Sequence, residues 1–131
     1  MSVDQMLNQF CAAFSAKNAE AVAALFDEQG LLEFPFAGQR LVGRREIANG
    51  VARMCENLDS VSISVRSKRA TEQFVISEGR MSFRRTASKE EVSCAISIVV
   101  ERGKSGAARI STYYDTYAIR PWVDGKIFAT G

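Results

Sequence analysis

Histidine is missing from all 131 residues. Its absence excludes Ser-His and Cys-His nucleophilic pairs and every histidine-ligated metal. Proton transfer would then fall mainly to Asp or Glu, with Tyr, Lys and Cys behind them. Cysteine is scarce. Cys11, Cys55 and Cys94 are far apart and odd in number, which gives neither a zinc spacing nor a disulfide framework. A reducing cytoplasm is the expected setting. No stretch approaches the ~20 apolar residues of a membrane span, and the opening MSVDQMLNQF has no basic start or apolar run of a secretory leader. Excess charge is also lacking. A net +2 is too small to argue for nucleic acid, and Arg44-Arg45, Arg84-Arg85 and the Arg66-Lys68-Arg69 run read as solvated surface among acids.

What is present is a chain with 47% apolar and 24% charged residues, a globular balance and enough length for a core in one domain. Ser2 and Gln5 have the spacing of a capping box. Val3, Met6, Leu7, Phe10, Cys11 and Phe14 then recur at three- and four-residue steps, one apolar face of a helix running to about Ala16. Asn18 is a good N-cap for a second helix, Ala19 to about Phe26, with Glu20 suited to the positive end of its dipole. Gly30 reads as the end of that region. Leu31 to Phe36 reads as a short strand with Pro35 at an edge or bend. Helical spacing returns from Arg44 to Leu58 through Ile47, Val51, Met54 and Cys55.

After Asp59-Ser60 the period becomes two. Val61, Ile63 and Val65 alternate with Ser62, Ser64 and Arg66. Three more strands are expected, about Gln73 to Arg85, Val92 to Arg102 and Ala107 to Ile119, joined by turns at 86–89 and 103–106. The tail from Arg120 to Gly131, with Trp122 and Asp124-Gly125, reads as a further short strand or a loop. There is no internal repeat or linker. Helices segregated against a curling antiparallel sheet make an α+β domain, a cone with a pocket whose floor is aromatic.

This order resembles the nuclear transport factor 2-like superfamily, in its SnoaL-like and ketosteroid-isomerase-like branch. Three stretches carry the resemblance: NAEAVAALFDEQGLLEFP, the helix entry Gly43-Arg44-Arg45-Glu46-Ile47, and the closing Ile110-Ser111-Thr112-Tyr113-Tyr114-Asp115. It implies three N-terminal helices closing a pocket on a curved sheet, as in the cystatin-like fold. It hosts isomerases, cyclases, epoxide hydrolases and non-catalytic modules, so it does not fix a reaction. At the positions matching the isomerase's two aspartates and its helix-1 tyrosine stand Phe34, a residue near Ser97, and Phe10. A phenyl ring neither takes a proton nor donates a hydrogen bond, so ketosteroid isomerase chemistry is not expected. Of the epoxide-hydrolase pattern, Arg80 and the closing Asp115 remain, but Ser82 stands where a second acid belongs.

The resemblance places Tyr113 and Asp115 inside the cone, where desolvation would turn Asp115 into a usable acid or base. Alternatively Asp115 is a structural acid paired with an arginine such as Arg80, or lies at the wet mouth. Tyr113 either holds a substrate oxygen or only packs. Phe10, Phe14, Phe34, Met54 and Trp122 line the pocket or are plain core, with Arg80 and Ser97 as polar contacts. Glu33 faces outward if Phe34 faces in; a one-residue slip would exchange them. In VSCAISIVV neither face is charged. With Ser97 lining the cone, Cys94, Ile96 and Ile98 would form a greasy exterior that meets a second subunit in a two-fold dimer.

Two readings follow. In one, a small hydrophobic molecule is isomerised, cyclised or hydrolysed with Asp115 as acid or base and Tyr113 and Arg80 orienting it. In the other, the same scaffold is a non-catalytic ligand-binding or dimerisation module. Neither calls for a cofactor, a metal, nucleic acid or a membrane.

Overall fold

The computed structural model describes residues 1–115. Three helices, α1 (Val3–Ser15), α2 (Ala19–Ala24) and α3 (Arg44–Glu56), cover one face of a six-stranded curved, unclosed sheet. The strands are β1 (Phe26–Phe34), β2 (Gln39–Val42), β3 (Leu58–Ala70), β4 (Phe74–Arg85), β5 (Glu91–Arg102) and β6 (Ala107–Tyr114), in the order β2-β1-β6-β5-β4-β3. All neighbours are antiparallel except β1 and β6, which run parallel. Among the described residues no helix is long and apolar enough to cross a membrane.

The start of α1 follows the sequence. The Ser2 hydroxyl accepts from the Gln5 N–H, and the Gln5 side chain accepts from the Ser2 N–H, at 3.1 and 2.8 Å. The other end is less conventional. Lys17 takes a left-handed φ of 56°, while the Lys17 and Asn18 N–H groups donate to Phe14 and Ala13. This is a Schellman close with lysine where glycine is usual, a conformation that costs an L-residue about 1–2 kcal/mol. The Lys17 ammonium offsets part of that cost by donating to the Leu58 and Asp59 carbonyls, at 3.0 and 3.1 Å, so it ties α1 to the start of β3.

The second helix ends earlier than its apolar pattern suggests. Phe26 is already in β1, fully buried, and the strand runs nine residues rather than six. Gly30 therefore does not stop a helix; it lies inside β1. A Cβ there would stand 2.9 Å from the Ala107 carbonyl oxygen and from Phe26 Cβ. Glycine is what allows β1 to bulge between Phe26 and Leu31 and still lie beside β6. The short β2, which follows a single turn of 3-10 helix over Pro35–Ala37, was not expected from the sequence; four residues carry too little pattern to distinguish a strand from a loop.

Asp27, beside that bulge, sets the β5–β6 turn. Its carboxylate accepts from the backbone N–H groups of Lys104, Ser105 and Gly106 at 2.8, 2.8 and 2.6 Å, and from the Ser105 hydroxyl at 3.1 Å. Burial pushes its pKa up, but these donors outweigh that and hold it below the usual carboxylate range.

The core lies between the helices and the sheet. Leu7, Phe10, Val22, Ile47, Val51 and Met54 of the helices meet Leu32, Val75, Ile98, Val100 and Ile110 of the strands. Facing each other across the sheet, Val75 pairs with Val100, and Val100 with Ile110. This line of inward residues fixes which face of β5 and β6 points to the helices.

Candidate ligand site

The residues singled out in the sequence fall into three places. Phe10, Phe14 and Phe34 meet inside the cone, lining a small cavity with Ile63, Met81, Ile96, Thr112 and Tyr114. Its open volume is about 10 Å³, the space of a single water. Phe10 and Phe14 stand 5.7 Å apart, and Phe34 and Tyr114 6.4 Å apart, both tilted near 50°. The aromatic rings thus occupy most of the cone themselves. Phe34 also borders a second space, an open groove of about 730 Å³ between β2 and α3, and Met54 lines that groove.

The third group lies on the opposite side of the sheet. Tyr113 is half-exposed and Asp115 is exposed, sharing a groove of about 610 Å³ with Phe36, Arg80 and Ser97. The expectation that Tyr113 and Asp115 enter the cone is therefore corrected: Ile110, Thr112 and Tyr114 are the inward residues of β6. The expected inward Ser97 is likewise corrected. Its hydroxyl donates at 2.8 Å to the Ser77 carbonyl from the outer side of the sheet. Arg80 is exposed and donates to the Ser93 hydroxyl at 3.1 Å, a cross-strand contact with no access to the cone. Trp122 lies outside the described residues.

One inversion explains all of these. Taking Ser97 as inward reverses the parity of β5, and the one-to-one register carries the error into β6. The same inversion undoes the expected dimer patch. Cys94, Ile96 and Ile98 are 4%, 5% and 1% exposed and belong to the core, so they offer no surface to a second subunit. Burial, and then the neighbouring Asp115 carboxylate, hold the Cys94 thiol up in pKa, outweighing the opposing pull of Arg80. Burial also pushes Cys11 up to about 11 and raises Cys55. All three behave as small hydrophobes, not nucleophiles.

Glu33, read as outward when Phe34 is inward, is outward. It accepts from the Ser111 hydroxyl at 2.6 Å and from Arg109 at 3.4 Å. Arg109 also donates to Glu101 at 3.1 Å and to Ser111 at 2.6 Å. Burial lowers the guanidinium's pKa, but Glu101 and Glu33 outweigh it and raise it overall. This four-residue stitch across β1, β6 and β5 was not read from the sequence, because Glu33 is far from the other three in the chain and reaches them through the parallel β1–β6 pairing.

The group that sequence reasoning passed over most directly is Tyr114. It is 4% exposed, its ring lines the cavity, and its hydroxyl is buried with no hydrogen-bond partner among the described residues. Burial, and then the nearby Cys94, push its pKa up, so it is a neutral phenol and a donor. Buried tyrosine hydroxyls are normally paired. Its neighbour Thr112 donates to the Glu33 carbonyl at 3.4 Å, and Ser77 donates to the Ile98 carbonyl at 3.0 Å.

The profile of the SnoaL-like domain matches residues 7–129. The chain belongs to the SnoaL-like family. Solved structures agree on the fold of this SnoaL-like domain. A Catenulispora acidiphila protein with a ketosteroid isomerase-like fold, in complex with trimethylamine, superposes with a TM-score of 0.82 at 15% identity over 90% of this chain and 91% of that one. A proposed SnoaL-like polyketide cyclase from Shewanella denitrificans gives 0.80 at 10% identity over 94% and 97%. An LEH-like epoxide hydrolase of M. tuberculosis gives 0.74 at 17% identity over 95% and 91%. No curated protein matches the chain. Among the described residues of this SnoaL-like domain, no cluster of three or more Cys, Asp or Glu side chains is arranged to hold a metal ion.

Proposed function

We propose that this SnoaL-like domain is a binding module for a small, largely apolar molecule carrying a carbonyl-type oxygen. The apolar body lies in the β2–α3 groove against Phe34 and Met54. The oxygen passes Phe34 and accepts a hydrogen bond from Tyr114. The observation that carries this reading is the buried Tyr114 hydroxyl, without a partner among the described residues, in a cavity walled by apolar and aromatic side chains apart from Thr112. A polar group in such a place costs about 1–3 kcal/mol while unpaired, and a ligand oxygen recovers part of that. Because the cavity holds only about 10 Å³, binding requires the Phe34 or Phe14 ring to swing aside.

The reading in which Asp115 acts as acid or base on a cone-bound substrate has less support, since that carboxylate is exposed on the other side of the sheet. Acetophenone and ethylbenzene, nearly equal in shape, separate the cases by ligand-observed NMR. Acetophenone is expected to bind more tightly to the native chain. Tyr114→Phe should remove that preference, about five- to tenfold from one neutral hydrogen bond, and leave ethylbenzene unchanged. Asp115→Asn should alter neither. Equal affinity for the two molecules, or a preference that survives Tyr114→Phe, overturns the assignment.

A further inference from the structure

Side chains of four strands stand in rows across the outer face of the sheet. The β1–β6, β5–β6 and β4–β5 registers put Leu31, Arg109, Glu101 and Phe74 side by side in that order. The row runs apolar, cation, anion, apolar. The same registers set the next outer row, Glu33, Ser111, Val99 and Ile76. Phe74 and Ile76 are 39% and 53% exposed, and with Val99 they make a contiguous apolar patch at the β4 side of this face.

The charges of the first row are already matched within the chain. Arg109 donates to Glu101 at 3.1 Å, and Arg109 and Ser111 together hold Glu33. A pair neutralised in advance can be covered by a second surface at far less cost than a lone charge. The apolar ends of the row gain only by leaving water.

Such a row is complementary to its own reverse. Consider a two-fold axis in the plane of the contact, parallel to the strands and midway between β5 and β6. It sets Arg109 over the partner's Glu101 and Leu31 over the partner's Phe74. An isologous contact needs this property, because each residue meets the image of the other. Packed sheets cross at about 30°, which displaces Arg109 and Glu101 least, since they lie nearest the axis. Four strands ~4.8 Å apart and the 12 residues of β5 give the face on the order of 700 Å², near the ~800 Å² that each partner contributes to a standard interface.

We infer that the domain forms a two-fold dimer through the outer face of its sheet, with Arg109 of each copy over Glu101 of the other and Phe74 and Ile76 against the partner's β1. This is the face opposite to Cys94, Ile96 and Ile98, which the core retains. None of these contact residues lines the cone or the β2–α3 groove, so the dimer stands independently of the proposed function.

Sedimentation velocity of the full chain at micromolar concentration is expected to show a dimer. Ile76→Glu, at a position exposed in the single chain, should weaken association about 100-fold or more and leave the circular dichroism unchanged. Arg109→Glu and Glu101→Arg each bring like charges together across the axis and should also give monomers. Mixed in equal amounts, those two variants should form dimers again. Every contact across the axis is then opposite in sign, while each chain's own pair stays like-charged, so only a contact between copies is rescued. A native chain that is monomeric at micromolar concentration, or an Ile76→Glu chain that associates as tightly as the native one, overturns the inference. So does a mixture of the two folded charge variants that stays monomeric. If either charge variant fails to fold, the Ile76→Glu comparison decides alone.

Discussion

The two faces of the sheet use polar side chains in opposite ways. On the outer face, each of several hydroxyls and charges is tied to the next strand: Ser111 between Glu33 and Arg109, and Ser93 between Arg80 and Ser82. On the inner face, Ser77 and Thr112 donate to strand carbonyls, while the largest hydroxyl, that of Tyr114, has no partner among the described residues. The outer groups need no ligand, since they satisfy one another or meet water. The inner one has no such partner among the described residues. A polar residue is informative about function where its surroundings leave it incomplete.

The comparison breaks most severely where the inner face is emptied. Phe10→Ala removes a fully buried ring beside Phe14 and should lower unfolding free energy by about 3–5 kcal/mol in urea titration. A loss below ~1 kcal/mol would mean that the cone collapses around the gap. Next is Gly79, where the two faces share one backbone. A Cβ there would collide with the Ser64 carbonyl oxygen at the β3–β4 bulge. Gly79→Ala should therefore cost about 3 kcal/mol, because β3 must move to admit it. Recovery of native stability would show that the bulge slides freely.

The hydroxyls then give a contrast of sign. Ser111→Ala strips a bond from both Glu33 and Arg109 and should destabilise by about 1–2 kcal/mol. Tyr114→Phe removes an unpartnered buried hydroxyl and should leave stability unchanged or raise it by up to about 1 kcal/mol. Thermal unfolding of the pair tests the contrast directly; changes of the same sign would dissolve it.

Asp27 gives the smallest effect, at the edge between the faces. Its folded pKa is depressed, so its contribution is fully present above the unfolded carboxylate value and disappears as pH falls through the lower folded one. Native and Asp27→Asn chains should differ in stability at neutral pH and converge in acid. A constant gap from neutral to acid pH would mean that the carboxylate charge contributes nothing.

Much of the fold was legible because its long elements are strongly periodic. The capping box, the α1 face and the α3 face all stand where the sequence placed them. The site was less legible, and for one reason. VSCAISIVV is apolar on both faces, and ISTYY carries a hydroxyl or ring on each, so neither strand declares which side is inward. The decision belongs to partners: Ile110 beside Val100, and Val100 beside Val75, turn those faces to the helices. Tyr113 and Tyr114 are adjacent and alike in sequence, and only that register sends one to the exterior and the other into the cone. Asp27 and Lys17 were missed differently. Their partners lie 77 and 41 residues away, beyond any local pattern.

The parallel seam between β1 and β6 has a temporal consequence. Among the described residues, β1 and β2 join the rest of the sheet only through β6, which is made after every other described element. A ribosome that has released the chain through β5 has issued two unjoined half-sheets, one of two strands and one of three, and the hydrophobic faces of α1 and α3 have no continuous floor. Closure must wait for one eight-residue strand to slot between them, so the nascent chain is most exposed to misassociation just before its final described segment emerges.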